Sequence, residues 1–325
     1  MKAVSYTKYG PPEVLNLVDM AKPVPKDDEI LVKIHATTVS SGDWRARSLD
    51  MPRGFGLIGR LVFGLFGPRN PVLGTELSGE IESVGKNVSK YEVGDQIIAY
   101  PGMGCYAEYI VLSQDAKIVQ KPADMPFEEA AALSFGGITA LEFLRDKGNI
   151  QHGEKVLIIG ASGATGSSAV QLAKYFGAEV TGVCSTANMA LVKSLGADKT
   201  IDYTQEDFTK NGEKYDIIVD TTGSAPWTRS KGSLTKNGRL LLIAGSLGDM
   251  LKASFVSKKY GKKLVSGVSM GSIEHLNFLT DLVETGHFTP LIDRLYPLEQ
   301  TAQAHAYVDT GRKKGSVVIS IVARK

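Results

Sequence analysis

Cysteine is almost missing from these 325 residues: only Cys105 and Cys184 occur, far apart along the chain. Two thiols allow one disulfide at most and exclude a disulfide framework, so a reducing compartment is expected. Charge of one sign is missing too. Lys and Arg number 37 against 35 Asp and Glu, a formal net charge of +2 with the signs interleaved. Such a surface has no electrostatic footprint for nucleic acid, and no nucleic-acid partner is expected. The short run Arg312-Lys313-Lys314 reads as a solvated turn. No apolar run approaches the roughly 20 residues that span a bilayer; the most apolar stretch, 57–66, is broken by Gly59, Arg60 and Gly64. Residues 1–6 run directly into a strand-like pattern and lack the apolar region and cleavage site of a secretory signal. These absences lead us to expect a cytoplasmic protein without an integral membrane segment.

What is present supports a globular fold. Hydrophobic residues make up 43% of the chain and charged residues 22%, enough to bury a sizeable core under a polar surface. The length exceeds one typical domain, so two are expected. The first third is β-rich, with short runs at 29–34, 77–84, 96–100 and 107–111 bounded by Gly, Pro and Asp. Near Pro122 to Pro126 the texture changes, and 127–133 and 139–147 carry helical composition and spacing. From Lys155 onward strands alternate with helices: strand 156–159, a helix through Ala169, Leu172 and Phe176, strand 179–184, helix 189–195, and strands 217–220 and 239–244. This alternation is the signature of a doubly wound parallel sheet. A helix at 299–308 and a strand at 315–321 close the chain.

The strongest motif is Val156-Leu157-Ile158-Ile159-Gly160-Ala161-Ser162-Gly163-Ala164-Thr165-Gly166. It follows a buried strand and opens a helix, where small residues let the backbone approach a pyrophosphate and the helix N-terminus supplies free N–H donors. Ala161 stands where the strict glycine pattern has a glycine. An NAD-preferring site places Asp or Glu about 20 residues on, at the tip of the second strand. Here that tip reads Cys184-Ser185-Thr186, without a carboxylate, which favours NADPH over NADH. No arginine stands at the tip, so Lys193 and Tyr203 would have to complete the site.

Several segments in order resemble the medium-chain dehydrogenase/reductase family over essentially the whole chain. They are Pro71-Val72-Leu73-Gly74-Thr75-Glu76 with Gly79, Val84-Gly85 and Val93-Gly94-Asp95; Ala131-Ala132-Leu133 with Gly137-Ile138-Thr139-Ala140; the glycine loop; Leu195-Gly196-Ala197-Asp198; and Gly315-Ser316-Val317-Val318-Ile319. The resemblance implies an α/β architecture: a GroES-like β-rich catalytic domain from 1–124 and 291–325, and a Rossmann dinucleotide-binding domain at 125–290, with the active site in the cleft between them.

Departures from the family pattern point to its zinc-free, quinone oxidoreductase-like branch. Zinc-dependent members carry Cys where Ser40 precedes Asp43, and Gly-His-Glu where this chain has Gly74-Thr75-Glu76. Hydroxyls at two of three ligand positions are poor zinc donors, and the cluster of four cysteines for a structural zinc is missing, so no metal is expected. The five histidines, His35, His152, His275, His287 and His305, are scattered and read as surface or packing residues. Without a Lewis acid the accessible chemistry is hydride delivery to an electron-poor, apolar acceptor, a quinone or an α,β-unsaturated carbonyl. By position, Thr139 is expected near the nicotinamide, Ser162, Gly163, Ala164 and Thr165 at the pyrophosphate, and Ser185, Thr186 and Tyr203 at the 2′-phosphate. Thr222, Ala244, Gly245, Ser246, Ser269 and Met270 would meet ribose or carboxamide. For Tyr203 a partly buried packing role is equally open. Ser40, Trp44 and Thr75 are the candidate catalytic residues, with simple packing as their alternative. The thioester-reducing branch has a proton-donating tyrosine where Met51 stands, so enoyl-thioester reduction is disfavoured.

Two other functions stay open: an alcohol dehydrogenase-like enzyme, and a non-catalytic NADPH-binding sensor or structural protein. A homodimer is expected. The segment 52–69, with eight large apolar residues punctuated by Arg53, Arg60 and Arg69, reads as a lid over an apolar substrate, as a subunit interface, or as an interfacial membrane helix. The last ranks lowest because Gly54, Gly56, Gly59 and Gly64 weaken any helix.

Overall fold

The computed structural model describes residues Met1–Val322, which fall into two compact units. One consists of Met1–Met51, Gly56–Phe135 and the chain from Ser272 onward; the other of Pro52–Phe55 and Gly136–Gly271. The architecture is the expected one, a GroES-like β-rich unit and a Rossmann-like parallel-sheet unit. Among the described residues no helix is long and apolar enough to cross a membrane. Cys105 and Cys184 are both free and buried, so the one possible disulfide is not formed.

In the first unit a seven-stranded sheet runs in the order Ile292–Pro297, Ser316–Ser320, Glu29–Thr38, Leu77–Val84, Gln96–Ala99 and Ile118–Gln120, and Tyr109–Ser113 also pairs with Glu29–Thr38. The long strand Glu29–Thr38 organises it. Its alternate residues Ile30, Val32 and Ile34 are buried with Leu77, Ile81 and Ile97, as a period of two requires. The helix Phe127–Ala131 packs on this sheet, and the ring of Phe127 stacks on His35 with centroids 4.0 Å apart. Helix Ile273–Glu284, which the sequence reading did not find, also belongs here and packs on Ile118–Gln120.

The second unit holds six parallel strands in the order Lys199–Asp202, Glu179–Cys184, Lys155–Ile159, Tyr215–Asp220, Leu234–Leu242 and Lys263–Ser266. Val156, Leu157 and Ile158 are fully buried, as a strand covered on both faces demands. Chain order reverses between Lys155–Ile159 and Tyr215–Asp220, and ligands of such sheets bind at the carboxyl ends of the strands there.

Three local expectations need correction. The helical stretch read at 139–147 begins earlier, at Ser134–Leu141, and passes into a π-helical turn at Glu142–Lys147. The glycines of 52–69 do not prevent a helix, which forms at Gly56–Phe63. Gly59 suits the contact it makes, since a Cβ there would lie 2.7 Å from Met51 Cγ. Lys313 is not a fully solvated turn residue: it is half-buried and its ammonium donates to the Gly315 carbonyl at 2.8 Å.

Candidate active site

The glycine loop is built by close contacts that only small residues permit. Gly160 adopts φ +77°, and a Cβ at Gly166 would lie 2.0 Å from the Gly160 carbonyl oxygen. The third glycine thus lets helix Ala164–Tyr175 start hard against the end of Lys155–Ile159. Gly163, the N-cap of that helix, provides no side-chain cap, which leaves the first-turn N–H groups of Ala164 and Thr165 open to an anion. Ala161 replaces the usual glycine because its methyl is accommodated by Gly182 on the next strand, where a Cβ would come within 3.1 Å of it. Gly136 lets helix Ser134–Leu141 sit against Ala164, with a built Cβ 2.8 Å from its carbonyl oxygen; Thr139, on that helix, is buried.

At the tip of the second strand, Ser162 Oγ accepts from Asn188 Nδ2 at 3.0 Å, tying the glycine loop to the segment after Ser185 and Thr186. Sequence reasoning missed Asn188. It also missed Asp202, which lies in register with Cys184 on the neighbouring strand. The Thr186 hydroxyl donates to Asp202 Oδ2, while Thr204 donates to Oδ1 through its N–H at 3.0 Å and its hydroxyl at 2.8 Å. The Thr186 hydroxyl, and then Thr204, hold this carboxyl below the usual carboxylate range in spite of burial. Tyr203 is not the half-buried packing residue that was the alternative: it is 64% exposed.

The later strand ends have their own local order. Asp220 is fully buried and accepts from the N–H groups of Thr222 and Gly223 and the hydroxyl of Thr222, each at 2.9 Å, and from the Ala225 N–H at 2.7 Å. Ser246 caps helix Leu247–Tyr260 in a reciprocal box with Asp249; Ala244 and Gly245 lead into it. Ser269 donates its hydroxyl to Glu142 Oε2 at 2.7 Å, and the Met270 and Gly271 N–H groups donate to the same oxygen at 3.2 Å. Burial alone would raise the Glu142 pKa, but bonds from Lys147 and Ser269 bring it below the ordinary value. Asp220 and Glu142, neither singled out from sequence, hold these loops in shape.

In the first unit, Ser40 and Thr75 converge on a buried carboxylate. Asp43 Oδ2 accepts from the Ser40 N–H at 2.9 Å and hydroxyl at 2.6 Å, and Oδ1 accepts from the Gly74 N–H at 3.0 Å and the Thr75 hydroxyl at 2.8 Å. The two hydroxyl oxygens are 3.1 Å apart. Burial pushes the Asp43 pKa up against these four bonds. With both hydroxyl protons aimed at Asp43, Ser40 and Thr75 present lone pairs rather than donors. Ser40 and Asp43 form the capping box of helix Ser41–Ser48, which carries Trp44 half-buried on its first turns. Beside Thr75, Glu76 is buried, bonded by the Thr38 hydroxyl and the Phe135 N–H. Burial pushes its carboxyl up to about 8, well above 4.5. Gly74 fits this turn because φ is +99° and a Cβ would lie 2.8 Å from Cys105. Among the described residues no group of three or more His, Cys, Asp or Glu side chains is placed to hold a metal ion.

Residues 26–123 match the alcohol dehydrogenase GroES-like domain and residues 195–319 the zinc-binding dehydrogenase domain. The chain is 31% identical to the chloroplast envelope quinone oxidoreductase homolog of Arabidopsis thaliana, covering 98% of each. Its structure resembles the quinone oxidoreductase of Coxiella burnetii at TM-score 0.88 and 29% identity, over 99% of both chains. It also resembles Escherichia coli quinone oxidoreductase complexed with NADPH, at TM-score 0.84 and 26% identity over 99% of this chain and 100% of the other.

Proposed function

We propose that this chain, which belongs to the quinone oxidoreductase branch of the medium-chain dehydrogenase/reductase family and is an NAD(P)H-dependent oxidoreductase, reduces quinones or α,β-unsaturated carbonyls with NADPH and without zinc. The observation that carries the proposal is the uncapped helix N-terminus at Gly163 behind the Gly160–Gly166 contact, a cradle for the pyrophosphate of a dinucleotide. When bound, the nicotinamide supplies the hydride. Gly163, Ala164 and Thr165 hold the pyrophosphate; Ser162 is positioned by Asn188; Ser185, Thr186 and Tyr203 surround the adenosine ribose and its 2′-phosphate. Thr139, Thr222, Ala244, Gly245, Ser246, Ser269 and Met270 serve the nicotinamide half. For NADPH speak the hydroxyls of Ser185 and Thr186 at the strand tip, where the segment Cys184-Ser185-Thr186 carries no carboxylate.

Zinc independence is supported by the donor set. Ser40 and Thr75 offer neutral oxygens already bonded to Asp43, a poor substitute for thiolate and imidazole. In this reading Ser40, Trp44 and Thr75 shape the acceptor pocket, and Asp43 fixes the two hydroxyls. Because their protons point at Asp43, the proton that completes reduction comes from water or a cofactor hydroxyl. A homodimer is supported by the second unit: the edge strand Lys263–Ser266 leaves one side of its ladder unpaired, near in sequence to the exposed Leu251, Phe255 and Val268.

The test is NADPH oxidation by chelator-treated enzyme against a panel of quinones and enones. Turnover with at least one acceptor is expected. Tight NADPH binding with no turnover would favour a sensor, and alcohol oxidation restored only by added zinc would favour an alcohol dehydrogenase.

A further inference from the structure

Helix Gly56–Phe63 meets its own unit through one face, where Gly59 is buried and Phe63 packs against a core that includes Tyr6 and Val72. A spacing of four residues puts these two on the same side. Leu57 and Leu61 lie on the opposite side, Ile58 and Val62 flank the packed face, and the following turn adds Leu65 and Phe66. All six are exposed, from 42% at Ile58 to 103% at Phe66. An ordinary surface helix turns polar residues to water; this one contains a single polar residue, Arg60.

Charge identifies what the face would meet. From Gly56 to Thr75 the chain carries Arg60 and Arg69, both exposed, and no Asp or Glu. We propose that this helix and the turn after it form an anchor that seats the protein on an anionic lipid surface. The six apolar side chains would enter the boundary between headgroups and acyl chains, and the arginines would meet lipid phosphates. A second copy of the chain fits less well. A twofold contact on this face would bring the arginines of two copies into one interface, with no carboxylate in the stretch to pair with them. The glycines, which argued from sequence against a helix, are compatible with it because the body of the unit supports the inner face at Gly59. The anchor does not depend on the reductase reading, and its test needs neither cofactor nor acceptor.

Purified full-length protein is mixed with vesicles of phosphatidylcholine alone, or of equal parts phosphatidylcholine and phosphatidylglycerol, and pelleted. Binding to the anionic vesicles and release by added salt are expected. Leu61→Glu and Phe66→Ser should each weaken partitioning by about tenfold or more, and Arg60→Glu should abolish the preference for phosphatidylglycerol. Since these side chains are exposed, melting temperatures should stay at the wild-type value, showing that the variants fold. Wild-type protein that stays in the supernatant at low salt would overturn the proposal, as would binding unchanged by both apolar-face substitutions. Self-association without vesicles that Leu61→Glu abolishes would assign the face to a second copy and overturn it equally.

Discussion

At the scale of single residues, the candidate site is organised by carboxylates that the sequence did not single out. Asp43 served there only as a spacing mark for Ser40, yet it receives both candidate catalytic hydroxyls. Asp43→Asn keeps the shape but points an amide donor at a hydroxyl or N–H that is itself a donor. A loss of about 1–3 kcal/mol is expected in denaturant unfolding; an unchanged midpoint would show that the network does not hold the turn. Glu76 gives a pH signature. Its folded-state pKa of about 8 exceeds the ordinary 4.5, so the folded protein holds the proton more tightly, and the associated stability falls as pH rises from 4.5 through about 8. Lys313, pushed down from 10.5 to about 8 by burial, acts in the opposite sense, and its penalty fades between about 8 and 10.5. Melting temperature should therefore pass through a minimum near pH 8, and Glu76→Gln should flatten the acid side; a wild-type curve level across that range would refute the assignment. Ser185→Asp adds a charge at the tip of the second strand and, on the proposed NADPH reading, should move the kcat/KM ratio from NADPH towards NADH by about tenfold or more. The end of the second strand was legible, since Cys184 and Ser185 follow a recognisable strand pattern. Asp202 was not, because its nearness to Thr186 comes from strand register, which no local pattern encodes.

At the scale of elements, buried strands were read well and helices unevenly. Strand Lys155–Ile159 announces itself by the continuous apolar run Val156–Ile159. Helices Ser41–Ser48 and Leu247–Tyr260 do not, since neither has a strong apolar stripe; the signal they share is a capping box, Ser40 with Asp43 and Ser246 with Asp249, and the second also ends on Lys258, Lys259 and Gly261. What secures helix Ser41–Ser48 lies far away in sequence. Arg47, its side chain 1% exposed, donates through Nη2 to both oxygens of Asp309, each at 2.9 Å, on helix Thr301–Asp309. Asp309→Ala would leave a buried guanidinium unpaired, at a cost of about 3 kcal/mol. Arg47→Met combined with Asp309→Ala should be more stable than Asp309→Ala alone. If the single variant unfolds at the wild-type denaturant concentration, the pair does not lock the helix that carries Ser40, Asp43 and Trp44.

At the scale of the whole molecule, the alternation of strands and helices after Lys155 was enough to give a doubly wound parallel sheet, while the strand order comes from the structure and marks the carboxyl end where ligands of such sheets bind. The polar depression lined by Lys155, Glu179, Lys199 and Tyr215 lies at the opposite, amino end, where Lys199 pairs with Glu179 at 2.9 Å. What sequence could not supply was the way distant segments complete each loop, as Asn188 does for Ser162 and Glu142 for Ser269. Cofactor binding as proposed needs a dinucleotide phosphate at the N-terminus of helix Ala164–Tyr175. Calorimetric titration of Thr165→Asp with NADPH tests this most directly. A carboxylate on the first turn favours the helix dipole and should leave folding intact, while repelling a phosphate at the same place. The expected result is a wild-type melting temperature or a slightly higher one, with NADPH affinity reduced by at least about tenfold. A variant that binds NADPH as tightly as wild type would contradict the assignment.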